Sequence, residues 1–205
     1  MNKAEYAKSN SNITKKLLNT QRKSEIDKIK VKRHMPIVKI ISKYADKSLP
    51  LLDVGAREGN LLKLLSEHDF KNLSGVDISE EAIKLLKEKG FPGEIVDAQN
   101  FNLKKKFNTV ILSHVLEHCP DADKVLNNIY NHLVVGGILY VEVPRQPKIP
   151  MPTKAGHYHH YDELVEFLSL FDLSKWKLLH TSYTRGGNKG RIKCVFKKLG
   201  SKNAK

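Results

Sequence analysis

The chain has 205 residues, 40% of them hydrophobic and 28% charged, with a formal net charge of +14, enough for one domain with a good core and a flanking segment. No run approaches the roughly 18 apolar residues of a membrane span, and the Met-Asn-Lys-Ala-Glu-Tyr start lacks the apolar centre of a signal peptide. Two cysteines, Cys119 and Cys194, form no recognisable spacing, so neither a disulfide framework nor a zinc site is supported and a reduced, cytoplasmic protein is expected.

The charge is unevenly placed. Residues 1–50 carry 13 Lys/Arg against 4 Asp/Glu and residues 185–205 carry 8 against none, leaving 15 against 18 between them. Basic ends can mark a nucleic-acid surface. Lysines outnumber arginines 30 to 6, however, and no aromatic platforms for base stacking are interleaved with them. Solvated, solubilising ends are the favoured reading.

Residues 1–20, rich in Asn, Ser, Thr and Lys, are expected to be mobile unless a ligand or the core holds them. From Ser24 to Tyr44, Ile26, Ile29, Ile37, Val38, Ile40 and Ile41 recur at helical spacing, and Pro36 fits the first turn of a second helix. Leu51, Leu52 and Val54 then make a short apolar run that stops at Gly55-Ala-Arg-Glu-Gly59, and a helical pattern opens at Leu61. That is a buried strand, a tight turn and a helix start, the arrangement that holds a nucleotide-like ligand at a strand's C-terminal end. Glycine suits the turn because a Cβ would keep the ligand from the main chain.

A second strand, Leu73–Asp77, ends in a carboxylate 22 residues after Gly55; such an acid can accept from both hydroxyls of a ribose. Glu94–Ala98 reads as a third strand, Thr109–Ser113 as a fourth and Gly137–Val143 as a fifth, stopped by Pro144. Amphipathic stretches alternate with them, which argues for an α/β fold with a parallel sheet covered on both faces. Trp176–Tyr183 and Arg191–Phe196 flank Arg185-Gly-Gly-Asn-Lys-Gly190, a hairpin by its turn residues. A dehydrogenase would want Gly-x-Gly-x-x-Gly in the first turn; Arg57 and the lack of a third glycine at the needed place speak against one.

Residues 48–198 resemble the class I S-adenosylmethionine-dependent methyltransferases. The resemblance rests on Asp53-x-Gly55-x-Arg57-x-Gly59, Asp77, Asp97-Ala98, Leu116-Glu117-His118 and Gly136-Gly137. It departs from the family at Arg57, where a third glycine is usual. It implies a doubly wound, Rossmann-like, mostly parallel seven-stranded sheet ending in an antiparallel hairpin. Residues 1–47 form a basic helical segment beside the sheet or over the cleft, with substrate contacts expected from residues 1–35, and 199–205 form a basic tail.

The same resemblance implies the donor site. Backbone groups of Gly55, Ala56 and Gly59 hold the amino-acid end of S-adenosylmethionine, and Asp53 orients the turn or meets the ammonium. Asp77, with Ile78 beside it, takes the ribose; Asp97 and Ala98 border the adenine; Ser113 and His114 lie near the methionine portion. For catalysis the candidates are His157, His160 and His118. The stretch His157-Tyr-His-His160-Tyr161 falls in the loop and helix start after the fifth strand, where the family often carries a histidine and an aromatic, and histidine titrates in the useful range. In a helix start at least one of His157, His159 and His160 faces away. No metal is expected: His157-x-His159 and His118 with a carboxylate are the conceivable ligands, but magnesium prefers oxygen and no paired carboxylates of suitable spacing appear.

Pro144–Pro152 holds four prolines with Arg145 and Lys148. It reads either as a wall for an anionic or polyhydroxylated acceptor or as a rigid crossover loop. Three functions stand open. The favoured one is transfer of a methyl group to O or N of a small metabolite or sugar-like acceptor. The second is an RNA or protein methyltransferase using the basic ends; Ser113-His-Val-Leu lacks the Asn-Pro-Pro-Tyr type of motif that holds a planar base amine. The third is a donor-binding scaffold without activity.

Overall fold

The computed structural model describes residue 28 and residues 31–146, 156–184 and 190–200. The segment 1–20, the helical pattern at Ile26 and Ile29, most of the proline-rich loop, the hairpin turn at 185–189 and the end of the basic tail lie outside the described residues.

Seven strands make one sheet: β1 (Leu51–Val54), β2 (Leu73–Asp77), β3 (Gly93–Ile95), β4 (Phe107–Ser113), β5 (Leu133–Pro144), β6 (Trp176–Thr184) and β7 (Arg191–Lys198). Their order is β3-β2-β1-β4-β5-β7-β6. β1 through β5 pair in parallel, and β7 runs antiparallel to both β5 and β6. The helices are α1 (31–41), α2 (Asn60–Ser66), α3 (Glu80–Glu88), α4 (Ala122–His132) and α5 (Leu164–Leu168). Among the described residues no helix is long and apolar enough to cross a membrane.

Successive strand residues point to opposite faces, and the two cores follow that alternation. Leu52, Val54, Val110, Leu112, Leu139, Val141 and Phe196 pack with Val125 and Ile129 of α4 and Phe167 of α5. On the other face Leu51, Ile111, Tyr140 and Val195 pack with Ile37, Val38 and Ile41 of α1, Leu61, Leu62, Leu64 and Leu65 of α2, and Leu86 of α3. Strands buried on both faces explain why β1 reads as a continuous apolar run rather than an alternating one. Two helix starts are set by short polar side chains. Ala82 N–H donates to Ser79 Oγ (3.2 Å) at α3 and Lys124 N–H to Asp121 Oδ1 (2.9 Å) at α4.

Four local expectations are corrected. Pro36 lies inside α1, not at a helix's first turn; the hydrogen bond it removes is offset by burial of Ile37, Val38 and Ile41. β3 stops at Ile95, and Asp97 instead forms a tight turn bridged to Asn100. β5 begins at Leu133, before the glycine pair, because Gly136 takes φ 81° where the pairing with β4 slips between Phe107 and Thr109. The stretch 157–160 is loop, since α5 starts only at Leu164.

The C-terminal hairpin is bound to the main sheet by an aromatic cluster in which Phe196, fully buried, stacks on Phe171 with ring centroids 4.0 Å apart and lies 6.2 Å from Trp176. Truncating it leaves a cavity in the buried core. Phe196→Ala is expected to cost about 3–5 kcal/mol, read from urea unfolding midpoints; a loss below about 1 kcal/mol would show that the hairpin is not part of the main core.

Candidate active site

The strand order reverses between β1 and β4: β1 is flanked by β2 on one side and β4 on the other. In an open parallel sheet the crevice at such a switch point is where ligands bind. Here it holds a cleft of about 800 Å³.

The loop after β1 forms one wall. Gly55, Arg57 and Gly59 all take left-handed backbone, at φ 74°, 49° and 74°. At Gly55 a Cβ would also meet Val115 Cγ2 at 2.6 Å, so a side chain there would need Val115 to shift as well as a strained backbone. Arg57 reproduces with a side chain the conformation that glycine adopts without strain, at a cost of about 1–2 kcal/mol. Its N–H donates to Asp77 Oδ2 (2.8 Å), and Ser79 N–H donates to Asp77 Oδ1 (2.9 Å). Each oxygen of the half-buried Asp77 therefore carries one backbone donor and keeps one acceptor site towards the cleft.

Asp53, at the end of β1, is buried, and burial together with the nearby Asp77 charge pushes its carboxyl up to about 8. Asp97, Ala98 and Gln99 line the far end, with Gln99 N–H donating to Asp97 Oδ1 (2.9 Å). Ile78 is 73% exposed beside Asp77, a large apolar side chain bordering the cleft. From the N-terminal side Arg33 and His34 of α1 line the same space, so that helix packs against the sheet and borders the cleft at once.

Ser113 and His114 close β4. His114 has φ 56° and its N–H donates to Glu142 O (2.8 Å). Its ring joins a buried polar network. Nδ1–H donates to Glu117 Oε1 (3.0 Å), and Arg191 Nη1 donates to His114 Nε2 (3.0 Å) and to Glu142 Oε1 (2.6 Å), while Tyr140 Oη donates to Glu142 Oε2 (2.6 Å). Burial opposes ionisation of Glu142, yet the neighbouring His114 ring and the bonds from Tyr140 and Arg191 outweigh it and hold its carboxyl down at about 2. Burial likewise opposes charge on His114, but Glu117 and Glu142 together raise its pKa. Protonation would exchange the Arg191 contact at Nε2 for Glu142 Oε1, 3.4 Å away.

Of the residues expected at the donor site, Asp53, Gly55, Ala56, Asp77, Ile78, Asp97, Ala98, Ser113 and His114 line the cleft. Gly59 does not; it sits behind the loop as the N-cap of α2, near Leu86 and Phe91. Among the candidate catalytic histidines only His118 lines the cleft. His157 packs edge-to-face on it, ring centroids 4.6 Å apart, and His160 is half-buried away from the cleft. His159 is also turned aside, its Nε2–H donating to Pro120 O (3.2 Å). Tyr158, which the sequence reading does not single out, lines the cleft instead.

Sequence reasoning also misses Glu117 as a side chain in its own right, although His114-x-x-Glu117-His118 places a carboxylate three residues after one histidine and next to the other. Glu142 and Arg191 carry no such signal: they meet only because β5 and β7 pair.

The family described as a methyltransferase domain matches residues 22–179. No curated protein matches significantly. Among solved structures, the N-methyltransferase NodS from Bradyrhizobium japonicum WM9, in complex with S-adenosylhomocysteine, superposes with a TM-score of 0.65 at 16% identity, over 82% of this chain and 87% of that one. Magnesium protoporphyrin IX methyltransferase from Synechocystis PCC 6803 with bound S-adenosylmethionine gives 0.64 at 16% identity, over 82% and 78%. The [4+2]-cyclase SpnF gives 0.63 at 15% identity, over 80% and 82%. These likenesses show the fold. With the match over residues 22–179 and the 3-2-1-4-5-7-6 sheet, the chain belongs to the class I S-adenosylmethionine-dependent methyltransferases.

Proposed function

We propose that the chain transfers a methyl group from S-adenosylmethionine to an oxygen or nitrogen of a small metabolite or sugar-like acceptor. The observation that carries this reading is one continuous cleft of about 800 Å³ with Asp53, Asp77 and Asp97 spaced along it and His118 at its rim. That volume suits a nucleoside donor with a small partner better than a macromolecular chain.

The residues present fit the donor. Gly55 gives the turn the left-handed backbone it needs, and Asp77 keeps one acceptor site on each oxygen, as two ribose hydroxyls require. Asp97 is oriented to accept from an exocyclic amine, with Ile78 as the apolar wall for a base. Asp53 meets the ammonium of the amino-acid end. When bound, S-adenosylmethionine supplies a methyl group on a sulfonium whose departure leaves a neutral thioether, a good leaving group. The chain's own part is then alignment and exclusion of water. His114, pinned through both ring nitrogens, is a positioning residue that fixes the end of β4. The acceptor meets His118 with His157 against it. Burial and the neighbouring His118 lower the pKa of His157, so at neutral pH its ring is in the form that takes a proton from a hydroxyl. The separation of a domain over 48–198 from a capping segment over 1–47 belongs to the same reading.

Methyl transfer is tested by following S-adenosylhomocysteine release across panels of hydroxyl and amine acceptors; turnover on RNA alone would sink the small-acceptor reading. Asp77→Ala is expected to weaken S-adenosylhomocysteine binding at least 10-fold by calorimetry with the fold intact; unchanged affinity removes Asp77 from the ribose role. A third outcome concerns pH. Because Asp53 has a raised pKa, its neutral form stabilises the free protein fully below about pH 4, and that contribution drains away as pH rises through about 8. Asp53→Asn does not titrate, so its stability relative to the native chain should improve by a few kcal/mol between pH 5 and pH 8.5. Equal differences in urea midpoint at both values would contradict it.

A further inference from the structure

The histidines and Glu117 raise a separate question. Glu117 is 1% exposed, yet its Oε2 has no hydrogen-bond partner. Its other groups are fixed: Oε1 accepts from His114 Nδ1, and its carbonyl accepts from Tyr158 N–H (2.7 Å), which clips the histidine-bearing loop onto the turn after β4. A buried carboxylate oxygen left unpaired is a standing cost that a chain does not ordinarily carry unless something binds there.

Two imidazoles complete the surroundings. One donor atom from each of Glu117, His118 and His157 lies within 4.8 Å of the others. Two ligands about 2.1 Å from a common ion stand about 3 to 3.5 Å apart, so small side-chain rotations close the set. Both rings are held from behind, as metal-ligating histidines are. His118 Nδ1–H donates to Gly156 O (3.3 Å), and His157 Nδ1–H donates to Gln146 Oε1 (2.6 Å). These bonds fix the tautomer that carries its lone pair on Nε2.

We propose that Glu117, His118 and His157 form a site for one borderline divalent transition-metal ion, of which zinc is the representative, at the acceptor side of the donor cleft. The case against magnesium does not reach this set, because two imidazoles and one carboxylate suit zinc, cobalt, manganese or iron. Three protein ligands leave at least one coordination position open. His118 and Tyr158 line the cleft, so that position is available to an oxygen of the acceptor: a hydroxyl, an enol or a carboxylate. An ion there would lower the pKa of a bound hydroxyl and fix its direction, so that the hydroxyl's proton leaves to water and the histidines, holding the ion, are no longer needed as proton acceptors. The acceptor class narrows accordingly from O or N to oxygen. This role rests on the methyl-transfer reading; the site itself does not.

The test uses the full chain stripped with chelator and titrated with Zn²⁺ by calorimetry and with Co²⁺ by visible absorption, alongside S-adenosylhomocysteine titration of the same samples. One equivalent of Zn²⁺ is expected to bind at micromolar or lower concentration, with Co²⁺ giving ligand-field bands. Glu117→Gln, which keeps the acceptor for His114, and His157→Ala should each weaken the ion at least 10-fold, while His180→Ala should not. If His157→Ala fails to fold, His118→Gln replaces it. Absence of saturable binding with normal S-adenosylhomocysteine affinity overturns the site and leaves the methyltransferase reading standing, with the histidines as proton acceptors. Zn²⁺ bound equally well by Glu117→Gln and His157→Ala also overturns it, since the ion then sits elsewhere. Zn²⁺ bound as expected with no S-adenosylhomocysteine affinity supports the site and counts instead against the donor assignment.

Discussion

The bond from Arg57 N–H to Asp77 is the constraint on which the cleft depends. It ties the turn after β1 to the end of β2, two segments 20 residues apart in sequence. It also orients the carboxylate that a ribose would need. Three left-handed residues in a five-residue turn would be an unstable arrangement in isolation; the carboxylate supplies the external hold. The cost of forcing Arg57 into glycine's conformation is therefore borne by the same interaction that prepares the ligand wall, and loop shape and site chemistry cannot be altered independently.

The opposite wall is organised by buried charge. Glu142 stays ionised despite burial because a phenol, a guanidinium and an imidazole converge on it, and the result is a rigid end to β4 and β5. Removing one partner of such a network leaves the others buried and unpaired. Glu117 belongs to the same neighbourhood but is only half satisfied. Its unfilled oxygen separates a group arranged for structure from one poised for a ligand.

Most of the fold was legible because local and global signals agree. The apolar runs at 51–54 and 109–113, the carboxylate at Asp77 and the glycines at 55 and 59 each point to the same sheet. Failures came where a local cue was overruled from a distance. Pro36 reads as a helix start, yet Ile37, Val38 and Ile41 bury against the sheet and carry the helix through it. Gly136-Gly137 reads as the edge of a strand but marks a slip in the middle of β5. The histidine run reads as a helix start, whereas the backbone bond from Tyr158 to Glu117 ties it to the turn after β4 as loop. The cleft lining at Asp53, Asp77, Ser113 and His114 was readable because these residues sit at strand ends, where position follows from topology. The polar contacts behind it were not, since Glu142, Arg191 and the Gln146–His157 contact depend on β5, β7 and a loop coming together.

Asp53 has one further consequence. A carboxyl titrating at about 8 is mostly protonated at neutral pH, and a cation seated beside it would expel that proton into solution. The heat of ligand association at pH 7 would then include the ionisation enthalpy of the buffer that takes the proton up. Phosphate and Tris would report different enthalpies for one and the same event, and the difference between them counts the protons released.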